Sequence, residues 1–452
     1  MKNHDQEPIN DTYVLQNKDE SFFKFLDQFV PFLENVPIPL HRAVMVGNLQ
    51  VVIELLNQQT TDINQVTHFN LTALHIASIM GHVDIVKLLI EKGADVEIKD
   101  SEAYTPFHYA VDRNRQALVL FLLNIGVEKN VITKKGLTPF QIAVKNGDIN
   151  LIRLLMSNNV NINICDLSGN TPLHTAVKAG HLEVVMMFVE AKLNVNAQNE
   201  NGMTPFHYAV QFGHIELVKL FLARGANKDA QNNDGWTSLH MAAFKKQNAI
   251  FNLLINANLD KNSKTRQGYT PLHLAILGRS WEIATSLINS GANLECTDNN
   301  KDTALTYAAS RGELPILKML IQKNVCKDRK NCRGYTALHI AVLRGQPDIV
   351  ETLIQSKVNI FMQDNEGNTP LYLAIETGTL KIVKLFLEEA ERKSYDLDVK
   401  SSIGFAKICG HTQIAKLIES YYKKTSSKIT IFNPIVKRLF ENDKTDFRKS
   451  KN

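Results

Sequence analysis

Only two tryptophans and five cysteines occur among the 452 residues. The cysteines, Cys165, Cys296, Cys326, Cys332 and Cys409, are odd in number and scattered. That pattern argues against a disulfide framework and suits reduced thiols in the cytoplasm, with the nucleus as the other reducing compartment. The closest pair, Cys326 and Cys332, has no matching second pair, so no zinc site is expected. No stretch approaches 18 uninterrupted apolar residues, which excludes a membrane-spanning helix. Met1–Asn10 is polar and lacks an apolar signal-peptide core, so export by that route is not expected. The chain has no phosphate-cradling glycine loop, no H-E-x-x-H, no G-x-S-x-G and no kinase motif set.

A large excess of one charge sign is lacking as well: 51 basic residues stand against 46 acidic ones, a formal +5. Nine of the basic and three of the acidic residues fall in Tyr422–Asn452, so that tail carries +6 and the remaining 42 and 43 leave −1. The body has no bias toward nucleic acid or an anionic membrane; only the tail does.

What the sequence does have is a period. Thr72-Ala73-Leu74-His75 returns as Thr105-Pro106-Phe107-His108, Thr138-Pro139-Phe140-Gln141, Thr171-Pro172-Leu173-His174 and Thr204-Pro205-Phe206-His207. It continues as Thr237-Ser238-Leu239-His240, Thr270-Pro271-Leu272-His273, Thr303-Ala304-Leu305-Thr306, Thr336-Ala337-Leu338-His339 and Thr369-Pro370-Leu371-Tyr372. The steps are about 33 residues, the period of a known repeat class. Ile38-Pro39-Leu40-His41 precedes the series, and a degraded copy starts near Ser401.

Thr is a good N-cap, and Pro suits the first helical turn, where its missing N–H costs nothing. A Gly such as Gly81 or Gly147 follows nine positions later and supplies the left-handed residue that ends a short helix. Val83, Ile85, Val86, Leu88, Leu89 and Ile90 then show the spacing of a second, amphipathic helix. Each helix pair has two apolar faces and too little mass to cover both, so the pairs must stack.

A 33-residue period carrying T-P-L-H-x-A resembles the ankyrin repeat. The resemblance implies an all-α ankyrin-repeat solenoid of helix-turn-helix units with protruding turns or short hairpins. It implies about eleven recognisable repeats plus a degenerate C-terminal one, spanning residues 35–421. Residues 1–34 form an N-terminal segment in which Glu20–Asn35, with five phenylalanines, is expected to be a capping helix or else a short partner-binding motif. Residues 422–452 form the basic tail, in which Asn433-Pro434 heads the apolar stripe Ile435, Val436, Leu439 and Phe440. That stripe is open to three readings: a helix packed on the last repeat, a docking or membrane-surface helix aided by Lys437 and Arg438, or a disordered end.

Eight of the fourteen histidines hold the fourth signature position, where the resemblance implies a structural hydrogen bond between units. Four more, His82, His181, His214 and His411, follow a helix-ending Gly. No metal, cofactor or catalytic role is therefore expected, and neither terminal segment is long enough for an enzyme domain.

The same resemblance places partner contacts on the concave side, at positions four, three and one before the signature Thr and seven and eight after it. Reading those positions assigns a strip to Tyr104, Met203, Phe212, Trp236, Phe244, Lys245, Arg266, Tyr269, Leu277, Arg311, Tyr335 and Arg344. Trp, Tyr and Arg are the residue types that dominate binding hot spots. The region also breaks the repeat's own rule. Lys246 and Arg279 stand where a helix-ending Gly belongs, Gly278 is displaced by one, and Asn114 is a milder case. Trp281 reads as the start of a second helix. The competing reading is that some of these aromatics wedge between neighbouring turns.

The functional expectation is a non-catalytic scaffold or adaptor, monomeric by itself, that binds a protein. The alternative is a targeting or substrate-recognition subunit, or a bacterial effector of this family, whose ends recruit other machinery or a membrane.

Overall fold

The computed structural model describes residues 38–432 apart from 59 and 394–398. The expected capping helix within Glu20–Asn35 and the stripe after Asn433 lie outside the described residues. Contacts divide the chain into two compact units, Met1–Glu200 and Asn201–Asn452.

The described residues form 24 helices in twelve consecutive pairs and no strand. In the first unit the pairs are α1 (Pro39–Val46) with α2 (Leu49–Leu56), α3 (Ala73–Met80) with α4 (Val83–Glu91), and α5 (Pro106–Asp112) with α6 (Gln116–Ile125). Next come α7 (Pro139–Asn146) with α8 (Ile149–Ser157), and α9 (Pro172–Ala179) with α10 (Leu182–Glu190). The second unit holds α11 (Pro205–Gln211) with α12 (Ile215–Ala223), α13 (Ser238–Phe244) with α14 (Asn248–Asn256), and α15 (Pro271–Leu277) with α16 (Trp281–Asn289). It continues with α17 (Ala304–Arg311) and α18 (Leu314–Gln322), α19 (Ala337–Leu343) and α20 (Pro347–Gln355), and α21 (Pro370–Glu376) and α22 (Leu380–Lys393). The degraded copy is α23 (Val399–Ile408) with α24 (Thr412–Phe432), a helix that passes the expected array end at 421.

The signature starts each first helix by local chemistry. At α3 the Thr72 hydroxyl oxygen accepts the His75 N–H at 3.3 Å, while the Thr72 N–H donates to His75 Nδ1 at 3.1 Å. This is a capping box with histidine in place of the usual Glu. Because Nδ1 accepts, the ring proton sits on Nε2, which donates to the Tyr104 carbonyl of the next repeat at 3.1 Å. His108 reaches Val131, His207 reaches Ala230 and His339 reaches Asn368 in the same way, and His41 reaches Leu71 although its Nδ1 has no capping partner among the described residues. Gln141 makes the set with an amide: its oxygen accepts the Thr138 N–H at 3.0 Å and its nitrogen donates to Ile164 at 3.1 Å.

Within each unit, every first helix packs on its own second helix and on the first helix of the next repeat. The core is the row of side chains thus enclosed, including Phe107, Phe140 and Phe188 in the first unit and Phe206, Phe221, Phe251 and Phe386 in the second. Burying such a ring contributes about 1.5–3 kcal/mol.

The protruding turns are tight loops rather than strand hairpins. In one of them the Asn232 N–H donates to the Trp236 carbonyl at 3.0 Å, and Asn232 Oδ1 accepts the N–H groups of Asp234 and Trp236. Successive tips are joined by one backbone bond, as from the Arg266 N–H to the Asp234 carbonyl at 2.7 Å. Gly235 permits that approach: its φ is +77°, and a Cβ there would lie 2.9 Å from the Arg266 nitrogen. The nearest thing to a ladder among the described residues is an isolated bridge between Thr297 and Thr303.

Burial holds the pKa of His75, His108, His240 and His273 down to about 4, against roughly 6.5 when unfolded. As pH falls below about 6.5 the unfolded chain takes up protons first, so stability that is complete above that point drains away down to about pH 4. Replacing these four histidines by Gln, which Gln141 shows to be competent, is expected to flatten the fall. Thermal melts between about pH 7.5 and 4.5 measure it, and an unchanged pH slope would assign the loss to other groups.

Candidate partner-binding surface

Eleven of the twelve strip residues, Met203 to Arg344, belong to the second unit, and Tyr104 belongs to the first. Their helices α11, α13, α15, α17 and α19 pack side by side, which carries the same edge from one repeat to the next. Phe212, Lys245, Arg266, Arg311 and Arg344 are exposed. Trp236, Phe244, Tyr269, Leu277 and Tyr335 are half-buried.

Two expected members do not reach the surface. Tyr104 is 8% exposed, its ring 5.3 Å from that of Tyr109 and 5.5 Å from that of His108. Tyr109 in turn donates its hydroxyl to Asp100 Oδ2 at 2.6 Å. Burial raises the pKa of both Tyr109 and Asp100, the mark of a polar cluster closed off from water. Tyr104 is therefore a wedge between turns and is withdrawn from the strip. Met203 is also 8% exposed, and its sulfur accepts from Asn232 Nδ2 at 3.6 Å.

The remaining aromatics are held by their neighbours rather than loose. The Trp236 ring meets Phe244 edge-on at 5.6 Å and lies 6.3 Å from His240, and among the described residues its indole N–H makes no hydrogen bond. Tyr269 lies 6.0 Å from Tyr307, whose hydroxyl donates to Asp298 Oδ2 at 2.8 Å. Phe212 stacks on Tyr208 at 5.9 Å, and Tyr335 stacks on His339 at the same distance. Tyr208 and Tyr307, four residues after the signature Thr, support the strip from beneath. Sequence reading missed them because that position is usually aliphatic here, as at Ile76, Ile142 and Leu274.

The broken glycine rule has a direct structural counterpart. Lys246 has φ +59°, Arg279 +55° and Asn114 +53°, while the displaced Gly278 is right-handed at −77°. Arg279 is partly engaged, its Nε lying 3.4 Å from Oε1 of Glu313, a carboxylate only 5% exposed. Trp281 opens α16 and is 49% exposed.

The residues following the helix-ending turn close the previous repeat. His181 Nε2 lies 2.9 Å from the Lys145 carbonyl, Arg115 donates to Ile79, Gln247 donates to Gln211, and His411 Nε2 lies 3.1 Å from the Glu376 carbonyl. Of the Gly-His pairs, those at His181 and His411 thus cap the neighbouring helix end, whereas Nε2 of His82 and of His214 is buried without a hydrogen-bond partner among the described residues. Among the described residues no group of three His, Cys, Asp or Glu side chains could hold a metal ion, and no helix is long and apolar enough to cross a membrane.

Ankyrin-repeat family models match overlapping stretches from residue 40 to 364, and a single-repeat model matches 366–400. The chain belongs to the ankyrin-repeat family, whose repeats are in general protein-interaction modules. It is similar to alpha-latrocrustotoxin-Lt1a of Latrodectus tredecimguttatus, 41% identical over 68 residues, which is 15% of this chain and 5% of the toxin. It is similar to the probable 26S proteasome regulatory subunit p28 of Saccharomyces cerevisiae, 41% identical over 63 residues, 14% of this chain and 28% of that protein. It is also similar to human ankyrin repeat and SAM domain-containing protein 3, 37% identical over 68 residues, 15% of this chain and 10% of that protein. The chain thus spans only a small part of these relatives. The crystal structure of the ankyrin repeat domain of Bcl-3 aligns with 48% of this chain and 99% of that one, at 26% identity and a TM-score of 0.44.

A lysine in the left-handed region costs about 1 kcal/mol relative to glycine. Lys246→Gly is expected to stabilise the array by about 0.5–1 kcal/mol in urea titration. A loss of stability would mean that the lysine makes a compensating contact.

Proposed function

We propose that the chain is a non-catalytic adaptor that binds a protein along the edge formed by the turn tips and first-helix ends of its second unit. The observation that supports this most is the side-by-side placement of Trp236, Phe244, Tyr269 and Leu277, all half-buried and held by neighbouring rings or backbone. Aromatic side chains fixed in place lose little entropy on binding, and a contiguous partly apolar patch is a usual mark of a partner site. Nothing in this arrangement asks for a cofactor. The five cysteines are unpaired, which favours a reducing compartment such as the cytoplasm.

Trp236→Ala and Tyr269→Ala are each expected to weaken partner capture by about 2 kcal/mol, roughly thirtyfold. Melting of the array should change little, because each ring belongs to one turn of a long stack. Affinity capture beside thermal melts tests this, with Tyr269→Phe as the control that removes only the hydroxyl next to Tyr307. Undiminished capture by both alanine variants would remove the proposal.

A further inference from the structure

Resting on that reading, we infer that the occupant of this edge is an extended acidic peptide segment carrying a carboxylate about every third residue. The argument starts from charge left unbalanced. Lys245, Lys246, Arg266, Arg311 and Arg344 all stand exposed at tips or first-helix ends of consecutive repeats. Among the described residues, none of their charged groups is in an ion pair. Elsewhere in the same unit, on second helices and their loops, several charges are paired, although Lys318 and Lys323 at α18 are exposed without an ion pair among the described residues. Lys219 lies 2.7 Å from Glu216, Arg329 3.3 Å from Glu295 and Lys381 3.4 Å from Asp348. The edge thus carries a row of exposed cations that are not in ion pairs among the described residues.

Between Trp236 and Arg344 opposing carboxylates on the edge are few, and Asp302 and Glu313 are already engaged. The Asp302 side chain is half-buried and accepts from Asn331 at 3.0 Å, and burial raises its pKa. Glu313 is buried against Arg279. Asp234 is exposed beside Arg266, and Glu366 and Glu376 are exposed in the repeat that follows Arg344, where both act on Tyr335. Like charges held on successive repeats repel one another, a cost that an anionic occupant converts into attraction.

The spacing selects the conformation. Packed neighbouring helices lie about 8–10 Å apart, and Lys245, Arg311 and Arg344 hold one register, eight residues after the signature Thr of their repeats, while Arg266 stands at the intervening turn tip. A polyproline II strand rises about 3.1 Å per residue with three residues per turn, which returns the same face every ~9.3 Å. Carboxylates at every third position of such a strand meet successive cations. The intervening residues lie over Trp236, Phe244 and Tyr269, which grip prolines and other apolar side chains.

Three fluorescent dodecapeptides test this against the full chain by anisotropy. The first has Glu at every third position among Pro, Leu and Tyr; the second has the same composition with its four Glu consecutive; the third carries Gln for Glu. A twelve-nucleotide oligothymidylate is the fourth probe. The spaced acidic peptide is expected to bind about tenfold tighter than the Gln peptide, with the advantage shrinking as salt is raised. The clustered peptide should fall between them. The Arg266→Gln, Arg311→Gln, Arg344→Gln triple variant should lose the advantage without a change in melting temperature, since all three side chains are exposed. Equal binding of the acidic and Gln peptides, absence of binding by any peptide, or oligothymidylate binding as tightly through the same arginines would overturn the inference. Partner capture that depends on Trp236 yet ignores the three arginine substitutions would leave the adaptor reading standing and remove the acidic occupant.

Discussion

The structure depends on one side chain per repeat that serves two masters. The residue three after the signature Thr accepts the backbone N–H at the start of its own helix and donates to a carbonyl in the next repeat. Helix initiation and repeat stacking are thereby fixed by one ring. A neutral imidazole with its proton on Nε2 does both; a protonated ring has no lone pair left for the capping N–H. Burial keeps the ring neutral, and the bond keeps it buried. Gln141 shows that the requirement is geometric, an acceptor and a donor at the right separation, and not a matter of histidine chemistry.

The dual bond is not made everywhere. His273 keeps its capping bonds, but among the described residues its Nε2 makes no well-formed hydrogen bond across the junction, where the Cys296 carbonyl is the acceptor that acts on it. In the following repeat Thr306 is too short: its hydroxyl turns back to the Thr303 carbonyl at 2.7 Å and serves only its own helix. Lys301 takes the left-handed tip position that glycine holds in most other repeats, at φ +63°. Two consecutive junctions in the second unit therefore rest on apolar packing and tip bonds, such as that from the Cys332 N–H to the Asn300 carbonyl at 2.9 Å. In a stack where each repeat touches only its neighbours, such junctions are where sliding or opening costs least.

Most of the fold was legible because the same physical problem recurs every repeat and the same residues answer it. Thr72 through Thr369 mark helix starts, the Gly positions mark their ends, and even the exceptions at Lys246 and Arg279 correctly foretold left-handed backbone. The surface was less legible for an equally physical reason. The residue before the signature Thr sits at the lip of the turn, where a large ring can face outward or wedge inward. At Tyr104 the inward choice is settled by Tyr109 and Asp100, which offer a ring and a buried acid; at Trp236 the corresponding position after the Thr is Met241, which offers neither. A single position cannot carry that distinction, because it lies in what occupies the neighbouring turn. The His residues after the helix-ending Gly were visible as a pattern, but that His181 and His411 cap the previous repeat while His82 and His214 do not needed the third dimension.

The second unit bears two costs in the same repeats. A lysine and an arginine are held in backbone that glycine adopts freely, and like charges are kept on neighbouring helix ends. Neither cost is needed for stacking, since Gly81, Gly147, Gly180 and Gly312 end equivalent helices without strain and without charge. A left-handed residue that is not glycine has one consequence glycine cannot match: it carries a side chain outward from the point where the chain reverses between helices. At Lys246 and Arg279 that side chain is a cation, set beside half-buried rings on adjacent repeats. Packing explains the rings, and the Glu313 contact explains part of Arg279; it does not explain the charge on Lys246.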